Sequence, residues 1–431
     1  MHDMKQPSPS RSINQGPAGS GRILVMLGAL YLSQGLPIGL GFVALPVILR
    51  SQGASLEMIG LLGLLLVPWA MKFLWAPWID RLDGGRWGAR RSWILPLQWA
   101  LAALLMGMAL LPQDQGIGLW MLGLLFVANV LSATQDIATD GLAIEVLQDR
   151  ALGWANALQI GGFSLGMMLG GSLAVMVYES GGQAMTFMLL GLLVLASSLP
   201  VLLYGELPRA AGCNARHRAS LPRMLARPGA GLAMLIAAGF FFATTMKGGM
   251  LGPLLVDAGL SMTQIGTIHG SGTLFMALVS APLGSVLVQR YGAQRTGWVA
   301  GMLGAASIAL WLWPASAGQI GFAAALGIEL VNSIMAGVAY VAFFTLFMQW
   351  ASRDQAGTDF TMLQCTEQVS NVFAGMLAGT LAGALGHAGF FACTAVIGFA
   401  LMLAIGVALG RLSLHGAPPD APRPAMEDRH A

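Results

Sequence analysis

Ionisable side chains stand inside stretches that are otherwise apolar: Lys72, Asp136, Asp140, Lys247, His269, Glu329 and Glu367. At bilayer depth such a group costs from roughly 2.5 to well over 10 kcal/mol, so it faces the interior of a helix bundle and finds a partner. Asp136 and Asp140 are four residues apart and therefore share one helix face. Glu329, flanked by Gly327 and Asn332, is the most deeply placed acid, and no equally deep base is near it in sequence. It serves a proton, a substrate or a structural hydrogen bond. Glu367 and Gln364, with Asp359, open a helix, where a carboxylate can also be a simple dipole partner. Lys247, between Met246 and Gly248, either attracts an anionic substrate or snorkels to the interface. His269 is a lone histidine among Gly and Ser, either a satisfied core residue or a ligand.

Uncharged groups share these depths. Gln34, Asn129, Gln135, Asn332 and Asn371 can bind substrate, although hydrogen bonding between helices explains such residues equally. Trp69, Trp75 and Trp78 can stack on a ring or anchor an interface, and Trp69 is the deepest of the three. An enzyme would need a nucleophile, an acid–base pair or a metal cluster grouped at one depth, and no His, Cys or Ser constellation of that kind occurs. Cys213, Cys365 and Cys393 match no metal or redox spacing, so neither metal nor disulfide is expected. No G-x-x-x-x-G-K-[ST] phosphate loop is present, which excludes ATP hydrolysis on this chain. No cofactor is implied.

The elements that position these groups are membrane spans. Of 431 residues 56% are hydrophobic and only 10% charged, with a mean hydropathy of +0.70, whereas soluble chains carry about 25% charged residues. A net charge of +3 gives nucleic-acid binding nothing to rest on. Residues 1–21, rich in Pro, Ser and Gly, read as a disordered tail without a cleavable signal. Apolar stretches follow at 22–49, 57–79, 92–112, 117–140, 152–178 and 184–204, then at 229–253, 262–288, 296–314, 319–349, 360–386 and 388–410. Each is long enough for the ~20 residues a span requires. With the N-terminus inside, all Lys and Arg except Arg50, Lys72 and Lys247 fall on one side. The positive-inside rule then makes that side, with both termini, cytoplasmic.

The chain reads as two related halves, 22–204 and 229–410, joined by a cytoplasmic linker at 205–228 and followed by a tail at 411–431. Ser55-Leu56-Glu57-Met58-Ile59-Gly60 returns as Ser261-Met262-Thr263-Gln264-Ile265-Gly266. The fifth span carries Gly162, Gly166 and Gly170 and the eleventh Gly375, Gly379 and Gly383, a spacing that lets helix backbones approach closely. The expectation is an all-α integral membrane protein of about twelve helices in two pseudo-symmetric six-helix halves. Its substrate path would lie between them near the midplane, which is transporter architecture.

The loop Ala76-Pro77-Trp78-Ile79-Asp80-Arg81-Leu82-Asp83-Gly84-Gly85-Arg86-Trp87-Gly88-Ala89-Arg90-Arg91 resembles the Asp-Arg…Arg-Arg loop of the major facilitator superfamily. The resemblance implies a gating role for Asp80, Arg81, Arg90 and Arg91, latching helix ends across the halves; topology alone also accounts for four arginines there. The second half keeps Arg290 and Arg295 but has Gln289 in place of the acid, which makes gating asymmetric. Lys72-Phe73-Leu74-Trp75-Ala76-Pro77-Trp78-Ile79-Asp80-Arg81 and Ala133-Thr134-Gln135-Asp136-Ile137-Ala138-Thr139-Asp140 resemble the AmpG-like branch, which includes muropeptide permeases, acetyl-CoA transporters and siderophore permeases. Tyr31 to Pro37, Ala44 to Arg50 and Pro68 to Lys72 look most like the compact siderophore permeases of the RhtX/FptX type. Because the superfamily's second and fourth helices are neighbours, the resemblance pairs Lys72 with Asp136 or Asp140. A carboxylate released from that lysine in a poorly hydrated cavity takes up a proton; a permanent structural pair is the alternative.

The resulting expectation is a monomeric secondary transporter of the bacterial inner membrane. It imports a small molecule, a ferric siderophore or similar solute, with protons, by alternating access. Muropeptide import is the alternative, disfavoured by the compact length. A transporter-like membrane sensor is the alternative from a different class.

Overall fold

In lipid every backbone N–H and C=O has to be satisfied within the chain, which leaves a sequence this apolar little choice but helix. The computed structural model describes residues 17–51, 61–81, 88–111, 119–147, 149–203 and 219–414, and all regular structure among them is helical. Residues 1–16, 82–87, 204–218 and 415–431 lie outside the described residues, as does the 55–60 repeat segment. Among the described residues nine helices are long and apolar enough to cross a membrane, and Leu62–Leu74 adds a shorter apolar piece.

Two of the nine are each a pair of helices joined at a sharp bend. Ala151–Leu203 turns at Gly182 (φ 69°, ψ −168°) and Arg353–Arg411 at Gly386 (φ 66°, ψ 176°). That backbone region is open essentially to glycine alone. Gly182 falls in the gap expected between the fifth and sixth spans, and Gly386 is the last residue of the expected eleventh span, beside the gap before the twelfth.

The chain divides into two compact units, one formed by Met1–Pro68 and Trp78–Arg218, the other by Trp69–Pro77 and Ala219–Ala431. The first contains α1 (Pro17–Gly39), α2 (Ala76–Arg81), α3 (Arg91–Ala109), α4 (Leu119–Val146), α5 (Asp149–Met168) and α6 (Ala174–Leu203). Its apolar core joins Leu36 and Leu40 to Leu101, Leu105, Leu125 and Leu190. α1 lies along α5 and the π-helical turn Leu169–Leu173 that continues it, so closely that a Cβ on Gly166 or Gly170 would overlap the carbonyl oxygen of Leu32 or Leu36.

The second unit contains α7 (Leu221–Leu225), α8 (Ala230–Gly239), α9 (Phe242–Asp257), α10 (Met262–Phe275), α11 (Ala281–Tyr291), α12 (Ala293–Ile308), α13 (Phe322–Trp350) and α14 (Ala356–Leu414). Its core gathers Met246, Leu251, Leu255, Ile268, Trp311, Phe390 and Phe391. Here the glycine expectation fails. A Cβ on Gly375, Gly379 or Gly383 would meet nothing within 4 Å, so these three seat no helix among the described residues, unlike those of α5.

The span expected at 57–79 is not one continuous helix. Leu61–Leu66 and Lys72–Leu74 are tight 3₁₀ turns around a short helix, Val67–Met71, and Trp75 separates them from α2. Pro68 and Pro77 supply no N–H to the ladder. Broken backbone at membrane depth is tolerated only where protein or water satisfies it, and this break carries Lys72 into the second unit.

Candidate functional site

Each unit has a polar interior. In the first, α4 carries Asn129, Gln135, Asp136, Thr139 and Asp140 on a wholly buried face. Tyr31 Oη, from α1, donates to Asp140 Oδ1 at 2.9 Å, and Gln159 Nε2, from α5, donates to the same oxygen at 3.2 Å. Gln34 Nε2 donates to Thr139 Oγ1 at 3.3 Å. Ser33 Oγ accepts from both Gln135 Nε2 (3.2 Å) and Gln98 Nε2 (3.1 Å). Asn129 turns inward on its own helix, donating to the Leu125 carbonyl at 2.9 Å. Asp136 is 3% exposed, one turn from Asp140.

At one end of this unit stands a second buried group. Arg90 Nη2 lies 2.7 Å from Asp80 Oδ1 and 2.6 Å from Glu145 Oε1, with Nε donating to Glu145 at 3.1 Å. The guanidinium lies over Gly141, where a Cβ would fall 2.5 Å from Cζ. Burial works against the cation, yet Glu145 and Asp80 outweigh it and hold the Arg90 pKa above its ordinary value. Two of the expected gating residues therefore meet through an acid, Glu145, that sequence reasoning did not single out. Arg81 is exposed and Arg91 half-buried.

In the second unit several ionisable side chains are gathered in groups. Lys247 Nζ, from α9, lies 2.8 and 3.0 Å from the two carboxylate oxygens of Glu329 on α13, and both side chains are buried. His269, exposed on α10, lies within the fields of both charges. Glu329 thus does have an equally deep base, and Lys247 does not snorkel. Asn332 belongs to the framework: its Oδ1 accepts from Trp311 Nε1 at 3.1 Å and its Nδ2 donates to the Ser307 carbonyl at 3.0 Å.

The other group surrounds Lys72, whose Nζ donates to Gln364 Oε1 at 2.6 Å and sits 5.5 Å from the centre of the buried Trp69 ring. One turn along α14, Glu367 accepts from Asn371 Nδ2 at 2.5 Å and feels the Lys72 charge; Asn371 accepts in turn from Thr245. Lys72, expected beside the α4 aspartates, is joined here to two other expected site residues, Gln364 and Glu367. Near the start of α14, Asp359 is held by Arg227, by Gln355 Nε2 and by the Ser352 N–H. Arg227 also stacks over Trp350, 4.2 Å from the ring centre.

Sequence reasoning missed Tyr31, Glu145 and Arg227. Tyr31 carried a signal, since a tyrosine inside an apolar span needs a partner for its hydroxyl. Glu145 closes a helix and Arg227 had counted only toward topology, so neither stood out.

Comparison with known proteins agrees with this geometry. A family model described as "Acetyl-coenzyme A transporter 1" matches residues 23–181. The "Anhydromuropeptide permease" of Escherichia coli K12 is 27% identical over 392 residues, covering 88% of this chain and 78% of that protein. The "Putative transporter AmpG 4" of Rickettsia felis is 21% identical over 85% of this chain and 92% of its own length. Among solved structures, the E. coli fucose:proton symporter covers 89% of this chain and 97% of its own with a TM-score of 0.67 at 15% identity. That likeness is one of fold, and the chain has the major facilitator fold expected from its sequence.

Proposed function

We propose that this protein is a secondary transporter of the bacterial inner membrane that imports a solute of the anhydromuropeptide class, a sugar bearing a short peptide, at the expense of the proton gradient. The observation that carries this reading is the similarity to the E. coli anhydromuropeptide permease, which runs through 88% of the chain and so is not confined to the first half. It displaces the siderophore expectation, for which the comparisons offer no support. The compact length had favoured that expectation, yet the chain aligns with 92% of the Rickettsia relative, so size does not separate the two.

Each unit offers groups suited to such a solute. Buried amides of Gln34, Gln135 and Gln364 hydrogen-bond hydroxyl and peptide groups, Trp69 offers a face for a sugar ring, and Lys72 and Lys247 meet carboxylates. Asp136, Asp140, Glu329 and Glu367 supply the carboxylates on which proton coupling rests. The two six-helix halves alternate as a monomer with both termini cytoplasmic, and Asp80, Arg81, Arg90 and Arg91 gate that side. The test is uptake of radiolabelled anhydromuropeptide by cells whose only such importer is this chain, beside a panel of ferric siderophores, with and without a protonophore. Protonophore-sensitive uptake of the anhydromuropeptide alone is expected. Siderophore uptake in its place, or no uptake at normal expression, overturns the reading.

A further inference from the structure

The Lys247–Glu329 pair is a closed ionic contact that stands next to open space. Both carboxylate oxygens engage the ammonium, and burial removes the water that would otherwise solvate either charge. Breaking such a pair without replacing the lost partner leaves an uncompensated buried charge. Yet its immediate neighbours are open. His269, Gly248, Gly249 and Gly270 are exposed, and a Cβ on Gly248 or Gly270 would meet nothing within 4 Å. A solute can therefore come within reach of the pair without displacing a packed side chain. Gly272 is the exception: a Cβ there would lie 2.8 Å from Ser333 Oγ and 3.3 Å from Glu329 Oε1. That side of the Glu329 carboxyl is walled.

We infer that Lys247 binds a carboxylate of the transported solute by exchanging it for Glu329, and that Glu329 takes up one proton as it is released. This rests on the anhydromuropeptide reading, because the peptide arm of such a solute ends in a carboxylate. The charge balance makes the coupling obligatory. Before binding, one cation faces one anion. Afterwards Lys247 keeps its proton and faces the solute carboxylate, while Glu329, with no cation left, is neutral by virtue of a proton drawn from the side the solute entered. Release reverses both events, so a proton crosses with each solute and the buried charge stays at zero throughout. His269, exposed on α10, lies within the fields of both members of the pair and is the group to which the hand-over of the proton to Glu329 is assigned.

The test uses the purified full chain in liposomes with a trapped pH dye. It measures labelled anhydromuropeptide exchange and proton entry together, for the natural solute and for one with its carboxylates amidated. Wild type is expected to move one proton per solute and to bind the amidated solute at least ~10-fold more weakly. Glu329→Gln is expected to lose solute-coupled proton entry and uphill accumulation, so that whatever exchange it retains moves no protons. Lys247→Gln is expected to erase the preference for the free acid over the amide. The charge-neutral Lys247→Gln/Glu329→Gln double variant, which strands no charge, takes the place of a single variant that does not fold, and it is expected to exchange the amidated solute without protons. Proton-coupled transport by Glu329→Gln or by the double variant, or an acid preference that survives loss of Lys247, overturns the exchange mechanism while leaving the substrate reading intact. Wild type that moves no anhydromuropeptide at all overturns the substrate reading and this inference with it.

Discussion

Arg90 joins two carboxylates, Asp80 and Glu145, so its removal takes a buried cation from both. Arg90→Ala is expected to cost about 3–5 kcal/mol, the range for a broken buried ion pair, read as a lower unfolding midpoint in detergent. An unchanged midpoint would show that water, rather than Arg90, solvates Asp80 and Glu145. The pH dependence follows from the raised Arg90 pKa. A folded-state value above the unfolded one means the contribution is complete below the ordinary arginine range and fades only in strong alkali. Between about pH 6 and 9 the destabilisation by Arg90→Ala is therefore flat as far as this group's own titration is concerned. Tyr31→Phe removes a single buried hydrogen bond to Asp140 and is expected to cost about 1–3 kcal/mol, in the same assay. The charged residues of both interiors were legible in the sequence, because each interrupts an apolar run. Their partners were not: Lys247 and Glu329 stand 82 residues apart and Lys72 and Gln364 stand 292 apart, separations that neither periodicity nor spacing encodes.

At the scale of elements, two sets of glycines with the same spacing do different work. In α5 and the turn that continues it, Gly166 and Gly170 admit the α1 backbone, and Gly166→Ala drives a methyl into the Leu32 carbonyl. A loss of about 1–3 kcal/mol is expected from such overpacking. Gly379→Ala meets open space and is expected to leave stability within about 0.5 kcal/mol of wild type. Equal effects at the two sites would refute the distinction. Gly386→Ala forces a side chain into a backbone region that costs of order 1–3 kcal/mol, seen as a lowered unfolding midpoint. Spans were readable from hydropathy, and the two sharp bends fell where polar or glycine residues interrupt it. The broken course of 61–81 was not read, because its apolar residues satisfy a continuous-helix pattern. Pro68 and Pro77 were its one local signal, and prolines are tolerated in membrane helices often enough to be ambiguous.

For the whole molecule, composition alone decided the class, since 56% hydrophobic and 10% charged residues leave few alternatives to a multi-span protein. Substrate identity was least legible, because binding groups in such an interior are scattered over many helices and only a few are charged. The motifs around Lys72 and Asp136 resemble those of permeases, to one of which the chain is similar over most of its length, whereas the compact length and the stretches Tyr31 to Pro37, Ala44 to Arg50 and Pro68 to Lys72 led to a siderophore substrate that similarity does not support. What unites the two units is the same chemical provision: each buries ionisable groups in membrane helices, and each such group has a polar or charged partner in reach.

The most direct test of the central claim is accumulation of labelled anhydromuropeptide by liposomes containing only this protein, under an imposed inward proton gradient. Internal solute is predicted to rise above the external concentration and to fall back to it when a protonophore is added. Uptake that stops at equilibrium whatever the gradient, or no uptake while the protein remains folded, would contradict proton-driven import.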